Sequence, residues 1–350
     1  MFELYNKWMK FVFEVTRPVT RPTFATENQI ALETDAFRLR QFSEKGDKNP
    51  VLILPPQAGH DSGICDFSST NSLVGTFLKY GMKSVYAIDW KSAEPGRSGE
   101  TLESLIEHTH RCVSRIGGKV NLVGLCQGGW QAAMYTALYG RRVNSLSLAG
   151  SPIDSHAEPG KIKFACDYLP YNFFQSLVLA GGGLYRGEFQ LLAFKLMNPY
   201  ERFFLDYCDL YKNIDDEAFL ERHRRFRNWY ETVNDLPGGW YLQIVDQLFI
   251  KNNLIKGKMT LFNKKIDLKT IDCPLFMIAG SKDDITSPDQ VFNAGKYVST
   301  PPERMEKFLV DSGHIGLFMG KDSLSTAWPR VIEKMRTYTG DLEEELQEAI

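Results

Sequence analysis

Hydrophobic positions in this 350-residue chain follow two rhythms. Short β-branched or apolar runs recur at "VLILPP" (Val51–Pro56), "SVYAIDW" (Ser84–Trp90), "VNLVGL" (Val120–Leu125), "SLSLAG" (Ser145–Gly150), "PLFMIAG" (Pro274–Gly280) and "EKFLVDSG" (Glu306–Gly313). Between them lie stretches of helical character near Asn71–Tyr80, Leu102–Ile116, Trp130–Tyr139, Asp289–Tyr297 and Leu324–Thr339. Strands that alternate with crossover helices build a mostly parallel sheet flanked by helices, so the pattern predicts an α/β fold.

From about Ser155 to Lys269 the alternation stops. Passages such as "YLPYNFF", "LMNPYERFFLDYCDLY" and "FRNWYETVNDLPGGWYLQIVDQLF" are rich in aromatics and read as mainly helical. A helical insertion between consecutive strands lies over the carboxyl ends of a parallel sheet, where such sheets bind ligands. The expected layout is an N-terminal segment (1–50), a core (51–154 and 270–340), a helical cap (155–269) and an acidic tail (341–350). The opening "MFELYNKWMKFVFEVTRPVTRPTF" is interrupted by Glu3, Lys7, Lys10 and Glu14. It lacks a signal-peptide core, and no stretch reaches transmembrane length. It is expected to be a helix packed on the body, with contact to an apolar surface as the alternative.

A composition of 43% apolar and 24% charged residues suits a soluble globular protein. The net charge of −2 excludes an electrostatic basis for nucleic-acid binding. Arg222, Arg224, Arg225 and Arg227 form the densest basic run, and with Glu221 beside them they read as a solvated helix face. Six cysteines (Cys65, Cys112, Cys126, Cys166, Cys208, Cys273) show neither a CxxC pair nor zinc spacing. That is cytoplasmic usage, with no metal or bound cofactor expected.

One cysteine stands in a special setting. Gly124-Leu125-Cys126-Gln127-Gly128 has the form G-x-C-x-G after a strand and before a helix, the setting of a nucleophile elbow, whose strained apex needs tiny neighbours. The helix start supplies partial positive charge and free N–H groups that favour a thiolate and can hold an oxyanion. A buried structural cysteine in a tight turn is the alternative. In α/β-hydrolase sheets the acid and the histidine follow the nucleophile in chain order, each just past a strand. Asp283 and Asp284 in "AGSKDDI" and His314 in "DSGHIG" fit that order. Asp283 is favoured as the acid and Asp284 as a turn or helix-start residue. No G-x-S-x-G competes. The oxyanion is expected between the main-chain N–H of Gln127 and one from the loop Gln57, Ala58, Gly59 and His60, which follows the first clear strand. Substrate contacts are expected from Trp130 and from the cap aromatics Trp229, Tyr230, Trp240 and Tyr241. A thiol paired with an imidazole is partly ionised and forms thioesters, which suits acyl transfer through an S-acyl intermediate. Redox sensing is the rival use, but no resolving cysteine lies nearby in sequence.

"VNLVGLCQGGW", "SKDDI" and "GHIGLFMG" resemble the polyhydroxyalkanoate synthase and intracellular polyhydroxyalkanoate depolymerase superfamily, from about Val51 to Gly340. The resemblance implies an α/β-hydrolase fold with Cys126 as nucleophile, His314 as base and Asp283 as its orienting acid. Its two branches run ester chemistry in opposite directions. The glycine pair Gly128-Gly129 and "KNNLIKGKMTLFNKKIDLKTIDCPLF" are similar to class III synthases. "PPQAGH", "AGSPIDSH", "MNPYERF" and Asp284 after Asp283 are similar to depolymerases. With more segments on that side, hydrolysis of a poly(3-hydroxybutyrate)-type polymer is the leading expectation and polymerisation of 3-hydroxyacyl-CoA the alternative. A small-molecule esterase or thioesterase and a non-catalytic binding protein stay open. The implied partners are polyhydroxyalkanoate polymer or oligomer, or 3-hydroxyacyl-CoA, with the granule surface and a second copy of the chain as further candidates.

Overall fold

The computed structural model describes residues 2–43, 49–158 and 160–339; the expected acidic tail lies outside the described residues. The strands β1 (Gln29–Glu33), β2 (Phe37–Gln41), β3 (Val51–Leu54), β4 (Val85–Trp90), β5 (Val120–Leu125), β6 (Val143–Ala149), β7 (Leu275–Gly280) and β8 (Met305–Val310) form one sheet in the order β1-β2-β4-β3-β5-β6-β7-β8. The β3 to β8 strands pair in parallel, and β2 runs antiparallel to β1 and β4. All six expected strands form, with ends shifted by a few residues.

Side chains of a strand alternate between its two faces, and here both faces are covered. Leu52, Leu54, Leu122, Leu146 and Met277 belong to one core; Val51, Ile53, Val123, Phe276 and Ile278 belong to another. Burial on both faces makes the central strands read as unbroken apolar runs. The edge strand β8 has only one covered face, so Leu309 is 61% exposed. The β1–β2 ribbon was not anticipated, because Arg38, Arg40 and Gln41 interrupt its apolar positions. Residues 29–41 therefore extend the sheet instead of belonging to a segment apart from it. Arg40 donates to Asp89 at 2.9 and 2.8 Å, and Arg21 to Asp61 at 3.0 Å, which pairs both buried carboxylates.

The main helices are α1 (Phe2–Thr16), α2 (Leu73–Lys79), α3 (Leu102–Ile116), α4 (Gln127–Tyr139), α5 (Lys161–Tyr168), α6 (Tyr171–Ala180), α7 (Gly187–Met197), α8 (Asp206–Lys212), α9 (Glu217–Glu231), α10 (Gly238–Ile244) and α11 (Trp328–Thr339). The run from α5 to α10 is inserted between β6 and β7. Three arginines of α9 are committed to carboxylates: Arg224 grips the buried Glu14 of α1 at 2.8 and 2.6 Å, Arg225 pairs with Glu221, and Arg227 pairs with Glu231. Arg224 also holds the Glu14 carboxyl below its ordinary pKa range. The α1 helix is thus pinned by its inner face, while Phe2, Leu4, Tyr5, Trp8 and Phe13 stay exposed. Among the described residues no helix is long and apolar enough to cross a membrane.

Candidate active site

The turn from β5 into α4 brings the strand to its neighbours at van der Waals limits. Cys126 sits at the apex at φ 52° and ψ −115°, a conformation L-residues avoid unless the surroundings impose it. Its N–H donates to the Ala149 carbonyl at 2.8 Å, and its carbonyl accepts from Gly129 N–H at 2.9 Å. A Cβ on Gly128 would lie 1.9 Å from the Leu54 carbonyl oxygen, so β3 and α4 meet only because that position is bare. Gly128→Ala is expected to cost about 3 kcal/mol by overpacking and to abolish activity. Wild-type melting and turnover in this variant would show that the elbow tolerates a methyl group.

The imidazole of His314 enters from the loop after β8, two strands beyond the strand next to the elbow. Gly150, at φ +54°, leaves room for it: a Cβ there would lie 3.1 Å from His314 Cε1. His314 Nδ1 and Asp283 Oδ2 are 2.7 Å apart. The other carboxylate oxygen, Oδ1, accepts the main-chain N–H groups of Ile285 and Thr286 at 3.0 and 2.9 Å. Asp283 is thereby clamped in one orientation. Burial opposes charge on the imidazole, but Asp283 and the Cys126 thiol, which hydrogen-bonds the ring, outweigh it and drive the His314 pKa upward. An imidazolium beside the sulfur is the charge state that a thiolate nucleophile needs.

Asp284 turns the other way. Its carboxylate takes hydrogen bonds from Lys161 Nζ at 2.5 Å and Asn198 Nδ2 at 3.3 Å, and Lys161 N–H donates to its main-chain carbonyl at 3.0 Å. Adjacent aspartates thus do different work: one holds the His314 ring, the other ties α5 and the end of α7 to the core.

The Ala58 N–H, one of the expected oxyanion donors, is committed to the Gln127 side-chain carbonyl at 2.6 Å. The loop and the elbow helix are thereby joined directly, and Gln127 Nε2 is left buried without a partner among the described residues. Gly59 and His60 pair with Asn234 and Val233 of the insertion. Gln57 is buried, among the described residues neither of its side-chain polar atoms is hydrogen-bonded, and it does not line the cavity in front of Cys126.

That cavity, of about 300 Å³, is walled by Cys126 and His314, by Ala58, His60 and Ile64 of the core, by Ile162, Phe194, Met197, Asn198 and Arg202 of the insertion, and by Trp229 and Tyr230. Trp130 and Trp240, both expected to touch substrate, instead lie in the core at 1% and 2% exposure. The α4 helix is buried on nearly every side, and α10 packs against α3, so these rings fill helix interfaces. Tyr241 stacks on Tyr185 at 3.8 Å and is likewise absent from the wall. Phe194, Met197 and Ile162 went unrecognised, since nothing in a helical apolar pattern marks which side faces a cavity. The segments "PPQAGH" and "MNPYERF" do reach the wall, through Ala58 and His60 and through Met197, Asn198 and Arg202.

Comparison with known proteins places this arrangement. Residues 37–300 match the family model described as "Protein of unknown function (DUF3141)". The chain belongs to the DUF3141 family. Among curated relatives, the "Poly(3-hydroxyalkanoate) polymerase subunit PhaC" of Haloferax mediterranei is 28% identical over 87% of this chain and 63% of its own length. This DUF3141 chain thus spans somewhat under two thirds of that protein. The protein of the same name from Synechocystis sp. is 28% identical over 81% of this chain and 76% of its own length. Among solved structures, the monoacylglycerol lipase of Paleococcus ferrophilus superposes with a TM-score of 0.55 at 14% identity, covering 86% of this chain and 99% of the lipase. The fold is that of the α/β-hydrolases, and the expected likeness to the polyhydroxyalkanoate synthase and depolymerase superfamily holds.

Proposed function

We propose that this DUF3141 protein is a poly(3-hydroxyalkanoate) polymerase that takes 3-hydroxyacyl groups from coenzyme A thioesters. The observation that carries the reading is the sulfur nucleophile. Cys126, beside an imidazole whose pKa is raised, exchanges one thioester for another with little change in free energy, whereas an oxygen nucleophile would discard the energy of the thioester. The names of the relatives from Haloferax mediterranei and Synechocystis sp. support the same direction, and they move the weight away from the hydrolytic expectation.

In the proposed cycle the Cys126 thiolate attacks the thioester carbonyl, and the C–S bond to coenzyme A breaks. The His314 imidazolium gives its proton to the departing thiolate. The neutral imidazole then takes the proton of the 3-hydroxyl of a second 3-hydroxyacyl-coenzyme A as that oxygen attacks the S-acyl carbonyl, forming an ester and freeing the Cys126 thiolate. That thiolate attacks the extended thioester in turn, so that the lengthened chain returns to the sulfur and coenzyme A leaves. Asp283 holds Nδ1 so that Nε2 serves both transfers. The main-chain N–H of Gln127 stabilises the oxyanion. Exposed aromatics of α1 and of residues 200–207 suit contact with a polyester granule.

A hydrolytic reading retains one specific support, the placement in the cavity wall of the two depolymerase-like segments. Intact-protein mass after brief exposure to 3-hydroxybutyryl-CoA separates the two. The expected result is a ladder of hydroxybutyryl units on Cys126 with release of coenzyme A. A single transient adduct and free 3-hydroxybutyrate, together with erosion of amorphous polymer, would replace polymerisation by hydrolysis.

A further inference from the structure

The strand β8 closes one end of the sheet, and among the described residues no strand pairs with its outer edge. Main-chain groups of a strand point alternately to its two sides. The Val310 carbonyl accepts Ser281 N–H at 2.8 Å on the β7 side. Val310, Phe308 and Glu306 therefore turn their N–H and C=O groups inward, while Lys307 and Leu309 turn theirs outward. A groove of about 280 Å³ opens along this edge, walled on its far side by Asp322, Thr326 and Arg330.

An open edge invites a further strand, and proteins that must stay apart blunt it, often with a lysine. Lys307 stands in such a position. Leu309 beside it is 61% exposed, however, and Asp311, just past the strand end, carries the opposite charge. Lys307, Leu309 and Asp311 are exposed on one face, while Phe308 and Val310 are buried on the other.

Register decides whether this edge repels or attracts its own copy. Two β8 strands related by a two-fold axis run antiparallel, and residues whose main-chain groups face outward must lie opposite each other to exchange hydrogen bonds. An axis at Lys307 or at Asp311 sets like charges face to face, which destabilises a sheet. An axis at Phe308 or at Val310 sets a charge against Leu309. Only an axis at Leu309 suits all three positions: Leu309 meets Leu309, and each Lys307 meets the Asp311 of the other copy. Asp311 already accepts from Lys282 Nζ at 3.0 Å and from Ser281 Oγ at 3.1 Å, and a carboxylate has acceptor sites to spare for a second ammonium group.

We propose that the free edge of β8 is a homodimer interface, where two copies of this chain join through antiparallel β8 strands centred on Leu309 into one continuous sheet. Antiparallel pairing turns the strand ends of the two sheets in opposite directions. Each copy then keeps its own Cys126–His314 site, and the interface stands independently of the acyl-transfer reading.

The full chain is expected to sediment as a dimer at micromolar concentration. Lys307→Asp sets two carboxylates opposite each other at both ends of the pairing and is expected to weaken the dimer by about tenfold or more. Adding Asp311→Lys exchanges the signs, recreates both pairs and should recover most of the lost affinity. Leu309→Pro removes the outward N–H at the axis and leaves the ladder to β7 untouched, so a folded monomer is expected. Hydrogen exchange in the unsubstituted protein gives a readout that does not depend on how any variant folds. The Leu309 amide should be protected in the dimer and should exchange fast once dilution yields the monomer. A dimer unmoved by Lys307→Asp or Leu309→Pro, a double variant no tighter than Lys307→Asp, or a Leu309 amide that exchanges equally fast in both states would overturn the proposal. A chain that stays monomeric throughout would also overturn it and leave the edge to a strand of a different protein.

Discussion

Replacing Cys126 by alanine is expected to lower acyl transfer by about 10⁴-fold or more and to leave the protein without an acyl adduct in intact-mass spectra, since loss of a nucleophile removes the covalent route and leaves only binding and the oxyanion site. The same position carries a second consequence, for stability. Its backbone, at φ 52° and ψ −115°, is open to glycine and costs other residues about 1–3 kcal/mol. Glycine itself gives back about 1 kcal/mol through the extra freedom of its unfolded chain. Cys126→Gly is therefore expected to be inactive yet more stable than Cys126→Ala by about 1 kcal/mol in urea denaturation. Equal stability of the two variants would show that the elbow stores no strain, and adduct formation in Cys126→Ala would remove Cys126 from the chemistry.

Asp283→Asn is expected to lower kcat by about 10⁴-fold, the scale seen when the residue orienting a catalytic histidine loses its charge. The direction follows from the clamp on the carboxylate. Two N–H groups, from Ile285 and Thr286, point at one of its oxygens, so an asparagine keeps its carbonyl there and presents its NH₂ to His314 Nδ1. The ring must then accept at Nδ1 and carry its proton on Nε2, facing the sulfur, where a base is required. The His314 pKa should fall, because the variant loses the largest raising influence on it.

The sign of the stability effect is fixed by the same shift. A pKa raised in the folded state contributes stability that is complete below the ordinary imidazole value and is lost as pH rises through the raised one. Wild type should therefore exceed Asp283→Asn by most at about pH 5–6, and the two should converge in alkali. A gap that instead widens with rising pH, or a variant with near-normal kcat, would place the orienting role elsewhere.

Much of the catalytic frame was legible because it is written in local chemistry. Gly124 and Gly128 around Cys126 announce a tight strand-to-helix turn, and apolar runs announce strands covered on both faces. The chain order of Cys126, the aspartate pair and His314 follows from strand ends that all point one way in a parallel sheet. The choice between Asp283 and Asp284 was readable only as a preference, since adjacent residues in a turn diverge according to which N–H groups clamp them. The β1–β2 ribbon escaped because its charged residues pair with carboxylates of other segments, Arg40 with Asp89 among them, and a residue paired at a distance looks solvated in sequence.

The cavity wall was the least legible part. Trp130, Trp240 and Phe194 all sit in helices with apolar neighbours, yet the first two are core and the third faces Cys126. Sequence alone determined a cysteine at the apex of a tight strand-to-helix turn and the chain order of the aspartate and histidine that meet it, because backbone sterics act over a few residues. Only tertiary structure decided which side of each inserted helix meets the strand ends, because that orientation is set by packing between segments about a hundred residues or more apart, such as Gly59 against Asn234 and Lys161 against Asp284.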